Sequence, residues 1–172
     1  MPTTKAEGEQ PRPTKLSANG AKFLKNRELG PGGKVALKAY KCAAGKWTIG
    51  WGHTAVYVKE GYTCSIADAE RFFAYDTQWA EAAVTRLTAS VGARKLNQAQ
   101  FDMVVSLAFN IGQTQFSNST LAHGIKSGLP ITVLAEEFPR WKYVDGKVNE
   151  GQVNRRALER KIFLGGYDGT VF

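Results

Sequence analysis

Residues 28–54 read E-L-G-P-G-G-K-V-A-L-K-A-Y-K-C-A-A-G-K-W-T-I-G-W-G-H-T, and the reading of this stretch decides the fold. It starts with an acid, Glu28, in the charged, helical context Lys25-Asn26-Arg27. A glycine-rich turn follows at Gly30-Pro31-Gly32-Gly33, then a strand pattern from Val35 to Tyr40 and a turn at Ala43-Ala44-Gly45. A second strand, Trp47-Thr48-Ile49, runs into Gly50-Trp51-Gly52-His53-Thr54. The pattern is that of a helix end feeding a β-hairpin. Glycines at 50 and 52 remove side chains where the backbone bends or passes close to another group.

Working outward, 172 residues suit one domain, or two small lobes sharing a core. A formal charge of +8 points to a polyanionic partner, which nucleic acid, an acidic membrane face or the peptide carboxylates of a bacterial wall would each satisfy. No apolar run approaches the length of a membrane span, and the N-terminus lacks the apolar core of a signal peptide. The chain is therefore expected to accumulate in a cytoplasm. Residues 1–16 are polar and proline-containing and read as a disordered tail. The two cysteines, Cys42 and Cys64, are too few and wrongly spaced for zinc, so no metal is expected. A reducing cytoplasm favours free thiols, with a Cys42–Cys64 bridge as the alternative after export.

Ser17 reads as the N-cap of a helix through Phe23 and Leu24 to Glu28. A carboxylate at a helix C-terminus is disfavoured by the macrodipole, which would raise its pKa. Val56-Tyr57-Val58 reads as a third strand. Ser65 with Asp68 makes a capping box for a long helix over about 66–87, with Ile66, Ala69, Phe73, Ala80, Ala83, Val84 and Leu87 on one face. A second box, Asn97 with Gln100, opens the most apolar segment, from Phe101 to Phe109, the expected core helix, ended by Gly112. Short helices follow over about 119–126 and 131–138, with Pro139 as a stop and Trp141 against the core. A last helix over about 151–164 places Val153, Ala157, Leu158 and Ile162 on one side.

The run Y-K-C-A-A-G-K-W-T-I-G-W-G-H-T resembles the signature of the phage-lysozyme family of glycoside hydrolases, the endolysins related to the T-even phage lysozyme. In that family an acid precedes the hairpin, an Asp or in some members a Cys follows Tyr-x, and a Thr comes later in the hairpin. Carried onto this chain, these are Glu28, Cys42 and Thr48, and residues 43–47 fill the family's interval between the last two. Residues 29–41 separate Glu28 from Cys42, more than the family has, so Leu29 to Gly33 reads as an inserted loop. The C-terminal half resembles the family at L-N-Q-A-Q-F-D (96–102), S-L-A-F-N-I-G (106–112), S-T-L (119–121), F-P-R-W (138–141) and G-Q-V-N-R-R-A-L-E-R (151–160).

The resemblance implies an α+β, lysozyme-like protein. A β-hairpin lobe over about 29–64 and a helical lobe over about 90–172 would be joined by the long helix, with the active site between them. It implies cleavage of the bond between N-acetylmuramic acid and N-acetylglucosamine in peptidoglycan, access through a holin-type lesion, and no cofactor. Glu28 is then the general acid, and Cys42 with Thr48 positions the water. Arg156, matched through its Arg-Ala pair, holds Glu28. His53 makes a structural ion pair, with Asp68 or Asp76 as partner. Asn110 faces the cleft, and Trp51 is either core or a sugar-stacking residue. An inverting glycosidase separates its two groups by about 6.5–9.5 Å to admit water. An unperturbed thiol titrates near ~8.5, so Cys42 is a weak base unless Lys41 or Lys46 lowers its pKa.

Three rival functions remain open on sequence grounds. A lytic transglycosylase needs the acid but no water-positioning group. A cysteine amidase or endopeptidase would use Cys42 and His53, whose nearness in sequence does not supply attack geometry. A basic non-enzymatic binder of nucleic acid or membrane would need a basic stripe or motif, and the basic residues are scattered, so nucleic acid is not the expected partner. A monomer is expected.

Overall fold

The computed structural model describes residues 11–169. It is α+β with two apolar cores. Helix α1 (Ala18–Lys25) starts where Ser17 accepts the Gly20 N–H. Strands β1 (Ala36–Lys41) and β2 (Trp47–Gly50) pair antiparallel, Tyr40 opposite Thr48 and Lys41 opposite Trp47, with a bulge between Ala36 and Tyr40. Residues 56–58 do not form a third strand. Val56 is fully exposed in a turn, and β1 is bridged instead by residues 62–64, through Ala39 N–H to the Tyr62 carbonyl and Cys64 N–H to the Leu37 carbonyl. Val58 keeps its apolar role without pairing, buried in the small core with Ala39 and Ile49.

Helix α2 (Ile66–Ala89) has 24 residues, about 36 Å at ~1.5 Å each. Its capping box is complete: Ser65 accepts from Asp68 N–H while Asp68 accepts from Ser65 N–H. The helix serves both cores. Phe72 packs on the small one and Phe73 in the large one, because neighbouring residues point about 100° apart. Ile66, read as part of the apolar face, is about half exposed.

The large core is built on α3 (Gln98–Ile111), in which Phe101, Met103, Val104, Val105, Leu107 and Ala108 are wholly buried. Gly112 ends α3 at φ 88, a left-handed value that favours glycine. Around α3 lie α4 (Gln113–Ser117), α5 (Thr120–Lys126), α6 (Ile131–Ala135), a 3-10 turn at Phe138–Arg140 that contains Pro139, and α7 (Glu150–Gly165). Between the turn and α7, β3 (Tyr143–Val144) and β4 (Lys147–Val148) form a hairpin. Its Asp145-Gly146 turn takes positive φ at both residues.

The N-terminal segment is held as far back as Arg12, which donates to the Thr88 carbonyl. Lys15 pairs with Glu81 at 2.9 Å, and Leu16 N–H donates to the same carboxylate. The expected disordered tail therefore does not include residues 12–16, and its residues 1–10 lie outside the described part.

Asp102 joins both ends of the chain to α3. Wholly buried, it accepts hydrogen bonds from Ser17 N–H and hydroxyl, Gln98 and the Tyr167 hydroxyl. Gly20 packs against it so closely that an added Cβ would sit 2.5 Å from Asp102 Cγ. A helical Gly→Ala change normally gains about 1 kcal/mol. Gly20→Ala is expected to lose about 1–3 kcal/mol instead, because it displaces a buried carboxylate from four donors. Urea denaturation that found the variant as stable as wild type would contradict this packing.

Candidate active site

Glu28 stands three residues beyond the end of α1. Its N–H still bonds the Lys25 carbonyl at 3.2 Å, and that of Arg27 bonds Leu24, so the chain leaves the helix through a tightened turn. The side chain is largely buried. Burial is the main cause that raises its pKa above 4.5, opposed by the charge and hydrogen bond of Arg155. Desolvation is thus the leading cause of the raised pKa.

The residue that holds Glu28 is Arg155, not Arg156. Arg155 Nη1 lies 3.2 Å from Glu28 Oε1, its Nε 3.3 Å from Glu159 Oε1, and its Nη2 3.3 Å from Ser106 Oγ. Ser106 in turn donates to Glu159 Oε1 at 2.6 Å. Arg156, one helical step of about 100° away, reaches Asn110 Oδ1 at 3.0 Å and Glu159 Oε2 at 3.1 Å. The buried face of α7 is Arg155, Arg156, Glu159, Ile162 and Phe163. Val153 and Ala157, expected inside, are exposed. Burying both arginines with Glu159 was missed because an apolar-face search passes over charges. The available signal was the spacing itself, with Glu159 at i+4 from one arginine and i+3 from the other.

Cys42 lies at the end of β1, in a turn closed by its N–H to the Lys46 carbonyl and by Gly45 N–H to its own carbonyl. Both cysteines are free thiols. The Cys42 pKa is lowered, first by a hydrogen bond with the Thr48 side chain, then by backbone hydrogen bonds at Lys46 and Ala44. The lysine side chains are not the cause. Thr48 is buried, and its hydroxyl also lies 3.1 Å from the Lys46 carbonyl. Its single proton serves one of these partners at a time. While it bonds the carbonyl, Thr48 accepts from the thiol; turned towards sulfur, it stabilises the thiolate. Tyr40 links the two halves: its pKa is raised by burial first, then by the charges of Cys42 and Glu28.

His53 is structural. Nδ1 meets both oxygens of Asp76 at 3.0 and 2.9 Å, Nε2 meets the Tyr57 hydroxyl at 2.7 Å, and the ring stacks on Phe72. This ties the hairpin lobe to α2 and selects Asp76 over Asp68, which caps α2 instead.

An open groove of about 590 Å³ runs from Gly52 along α2, past Tyr75, Gln78, Trp79 and Ala82, to Phe109. Gly52 adjoins the acid, since a Cβ there would lie 3.5 Å from Glu28 Oε2. Trp51 does not line this groove. It packs edge-on against Phe73 with Lys25 above its ring, and it lines a separate depression with Leu29 and Val35. The inserted loop folds back on itself, Gly30 N–H bonding the Lys34 carbonyl. The structure thus joins Cys42 to Thr48, Glu28 to Arg155 and Arg156 to Asn110, and sets Trp51 apart.

Comparison with known proteins gives the same family along most of the chain. The family model described as phage lysozyme matches residues 33–159, starting just after Glu28. The endolysin of Acyrthosiphon pisum secondary endosymbiont phage 1 is 37% identical over 152 residues, covering 86% of this chain and 97% of its own. The endolysin of Salmonella phage P22 is 34% identical over 153 residues, covering 87% and 97%. Among solved structures, an endolysin from Escherichia coli O157:H7 phage FAHEc1 superposes with a TM-score of 0.76 at 30% identity, covering 89% of this chain and 95% of that one. The α+β architecture is therefore lysozyme-like.

Two outcomes follow from the site's chemistry. Because its folded pKa is raised, Glu28 costs stability as pH climbs from the ordinary carboxylate range through that raised value. Glu28→Gln is therefore expected to melt higher than wild type at neutral pH, with the difference vanishing below about pH 4, where both side chains are neutral. Circular-dichroism melts across pH test this, and a lower melting temperature for the variant at pH 7 would refute it. For Cys42, wall-lysis assays should find Cys42→Asp retaining substantial activity and Cys42→Ala losing most of it. Full lysis by Cys42→Ala would remove the thiol from the mechanism.

Proposed function

The chain belongs to the phage lysozyme family and is a glycoside hydrolase of lysozyme type, and from that premise we propose that it is an endolysin muramidase. In this reading it hydrolyses the β-1,4 bond between N-acetylmuramic acid and N-acetylglucosamine in bacterial peptidoglycan, for host lysis. The observation that carries it is Glu28, a desolvated carboxyl with its pKa raised, set against Gly52 of an open groove. A carboxyl whose proton is favoured by burial is suited to donate to the leaving glycosidic oxygen. Arg155 opposes that shift, so its contribution is to orient the carboxyl through a bond to one oxygen, leaving Oε2 towards Gly52 and the groove.

Cys42 and Thr48 are assigned to the attacking water. The general acid must be protonated, while a thiolate base must be ionised. Full activity from that pair would require Glu28 to titrate above Cys42, against the order of their ordinary values, about 4.3 and about 8.5. Positioning by a neutral thiol and a threonine hydroxyl avoids this conflict. The oxocarbenium character of the transition state then does most of the bond breaking.

The charge distribution fits a polyanionic wall. Residues 29–64 carry five lysines (Lys34, Lys38, Lys41, Lys46 and Lys59) and one acid, Glu60, so this lobe holds +4 of the formal +8. Among the described residues none of the five meets a carboxylate. In the rest of the chain Lys15, Lys25, Arg140, Arg160 and Lys161 each do. An unpaired basic lobe beside the groove attracts the carboxylates of peptide stems. No helix among the described residues is long and apolar enough to cross a membrane. The reading further includes access through a holin-type lesion and action as a monomer.

Mass spectrometry of fragments released from purified peptidoglycan tests the reaction. Reducing, hydrated N-acetylmuramic acid ends are expected, and Glu28→Gln should release none. Anhydro ends, lighter by one water, would make the protein a lytic transglycosylase, in which Cys42 has no role.

A further inference from the structure

Glu159 is wholly buried on α7 and is not among the residues that line the groove. Positive charge surrounds it. Arg155 Nε lies 3.3 Å from its Oε1 and Arg156 Nε 3.1 Å from its Oε2. Arg27, whose guanidinium stacks on Phe23 and donates to the Phe23 carbonyl, feels the charges of Arg155 and Glu159. Ser106 of α3 donates to Glu159 Oε1 at 2.6 Å. A carboxylate is seldom placed so deep, and the reaction as described above does not use it.

What Glu159 does is decided by where Arg155 directs its donors. Guanidinium carries five N–H donors in a rigid fork, and its strongest contact with a carboxylate is two-point, one bond to each oxygen. Arg155 and Glu28 do not make that contact. Nε is turned to Glu159, and Nη2 to the Ser106 hydroxyl at 3.3 Å and the Ser106 carbonyl at 3.5 Å. Nη1 alone reaches Glu28, 3.2 Å from Oε1, longer than the ~2.7–2.9 Å of a charge-assisted bond. Glu28 Oε2 is left beside Gly52. From β1, Tyr40 senses both Glu28 and Cys42, and its own raised pKa keeps it neutral at working pH.

We propose that Glu159, with Ser106, is a positioning residue that holds Arg155 to a single-point contact with Glu28, so that Glu28 keeps Oε2 free for the proton it delivers. This rests on the muramidase reading. The same carboxylate offsets the charge of Arg155, the group that pulls Glu28 towards ionisation. Released from Glu159, the guanidinium would turn its fork onto both oxygens of Glu28 and hold it as the anion. The pH range of catalysis is thus set from inside α7, by a residue that acts on the acid through Arg155.

Glu159→Gln and Ser106→Ala test this with two readouts. One is the titration of the Glu28 side-chain carboxyl by carbon-13 NMR, its signal assigned by its loss in Glu28→Gln. The other is the pH profile of kcat/KM on purified peptidoglycan. In Glu159→Gln, Glu28 should titrate at lower pH than in wild type, and the alkaline limb of the profile should move down with it. Activity at pH 7 should fall about tenfold relative to activity at pH 5, the size of one added charge contact on a carboxyl. Ser106→Ala keeps every charge and frees Nη2, and should shift both readouts the same way, by about threefold, the order of one hydrogen bond. On an Arg155→Met background, Glu159→Gln should have little further effect, because the guanidinium it restrains is gone. If Glu159→Gln fails to fold, its buried arginines having lost their charge partner, Ser106→Ala decides alone. Glu28 titrating as in wild type in Ser106→Ala, or in folded Glu159→Gln, would overturn the proposal, as would an equal shift on the Arg155→Met background. If wild type released no cleaved glycan at any pH, the muramidase reading would fail, and the Glu28 titration would still decide what Glu159 does.

Discussion

Everything at this site depends on one constraint: two arginines of α7 are buried, and a buried guanidinium must be met by charge. Glu159 meets both, one carboxylate oxygen towards each, while Ser106 and Asn110 of α3 and the acid Glu28 complete the set. Taking such charges from water costs several kcal/mol per ion, and the mutual attraction returns this only where geometry is good. The network is therefore weak as a source of stability and strong as a source of placement. It fixes α7 against α3 in one register, since sliding α7 by a residue would strand a charge. It also delivers one guanidinium to the acid and the other to an amide nearby.

Above that floor, the lobes are joined through α2. Phe72 and Phe73 commit the same turn of one helix to different cores, and His53 ties the hairpin to Asp76 a turn further on. Gly52 lies between His53 and Trp51. Its lack of a side chain lets the hairpin backbone approach Glu28 and opens the groove along α2. The acid is thus desolvated by burial while its Oε2 lies beside Gly52, a residue of the groove.

The two candidate site groups, Glu28 and Cys42, are tuned by different physics. Glu28 is governed by burial, which favours its proton, with Arg155 pulling the other way. Cys42 is half-buried at a hairpin turn, where hydrogen bonds from Thr48 and the backbone favour the anion. A carboxyl shifted up and a thiol shifted down approach each other in pKa. Tyr40 feels both charges, after burial, as a raised pKa.

Much of this was legible in the chain itself. Ser17, the Ser65 and Asn97 boxes and Gly112 set helix boundaries because caps are local, satisfied within three or four residues. The hairpin was readable because turn chemistry is local too, while Glu28, Cys42 and Thr48 were singled out by their places in the resembling motif. Asp145-Gly146 carried a hairpin signal equally local and went unread. What sequence could not decide was the choice between partners far apart in the chain. Whether Arg155 or Arg156 meets Glu28 turns on about 100° of helix rotation, set by the packing of α7 on α3. Residues 62–64, rather than 56–58, bridge β1 because Val58 is drawn into the small core and the chain pairs only after it. Residues 12–16 are ordered because Glu81 and Thr88, far along α2, supply their acceptors. Local pattern specified the elements. Tertiary packing alone assigned each buried charge its partner, because that choice depends on which elements share an interior.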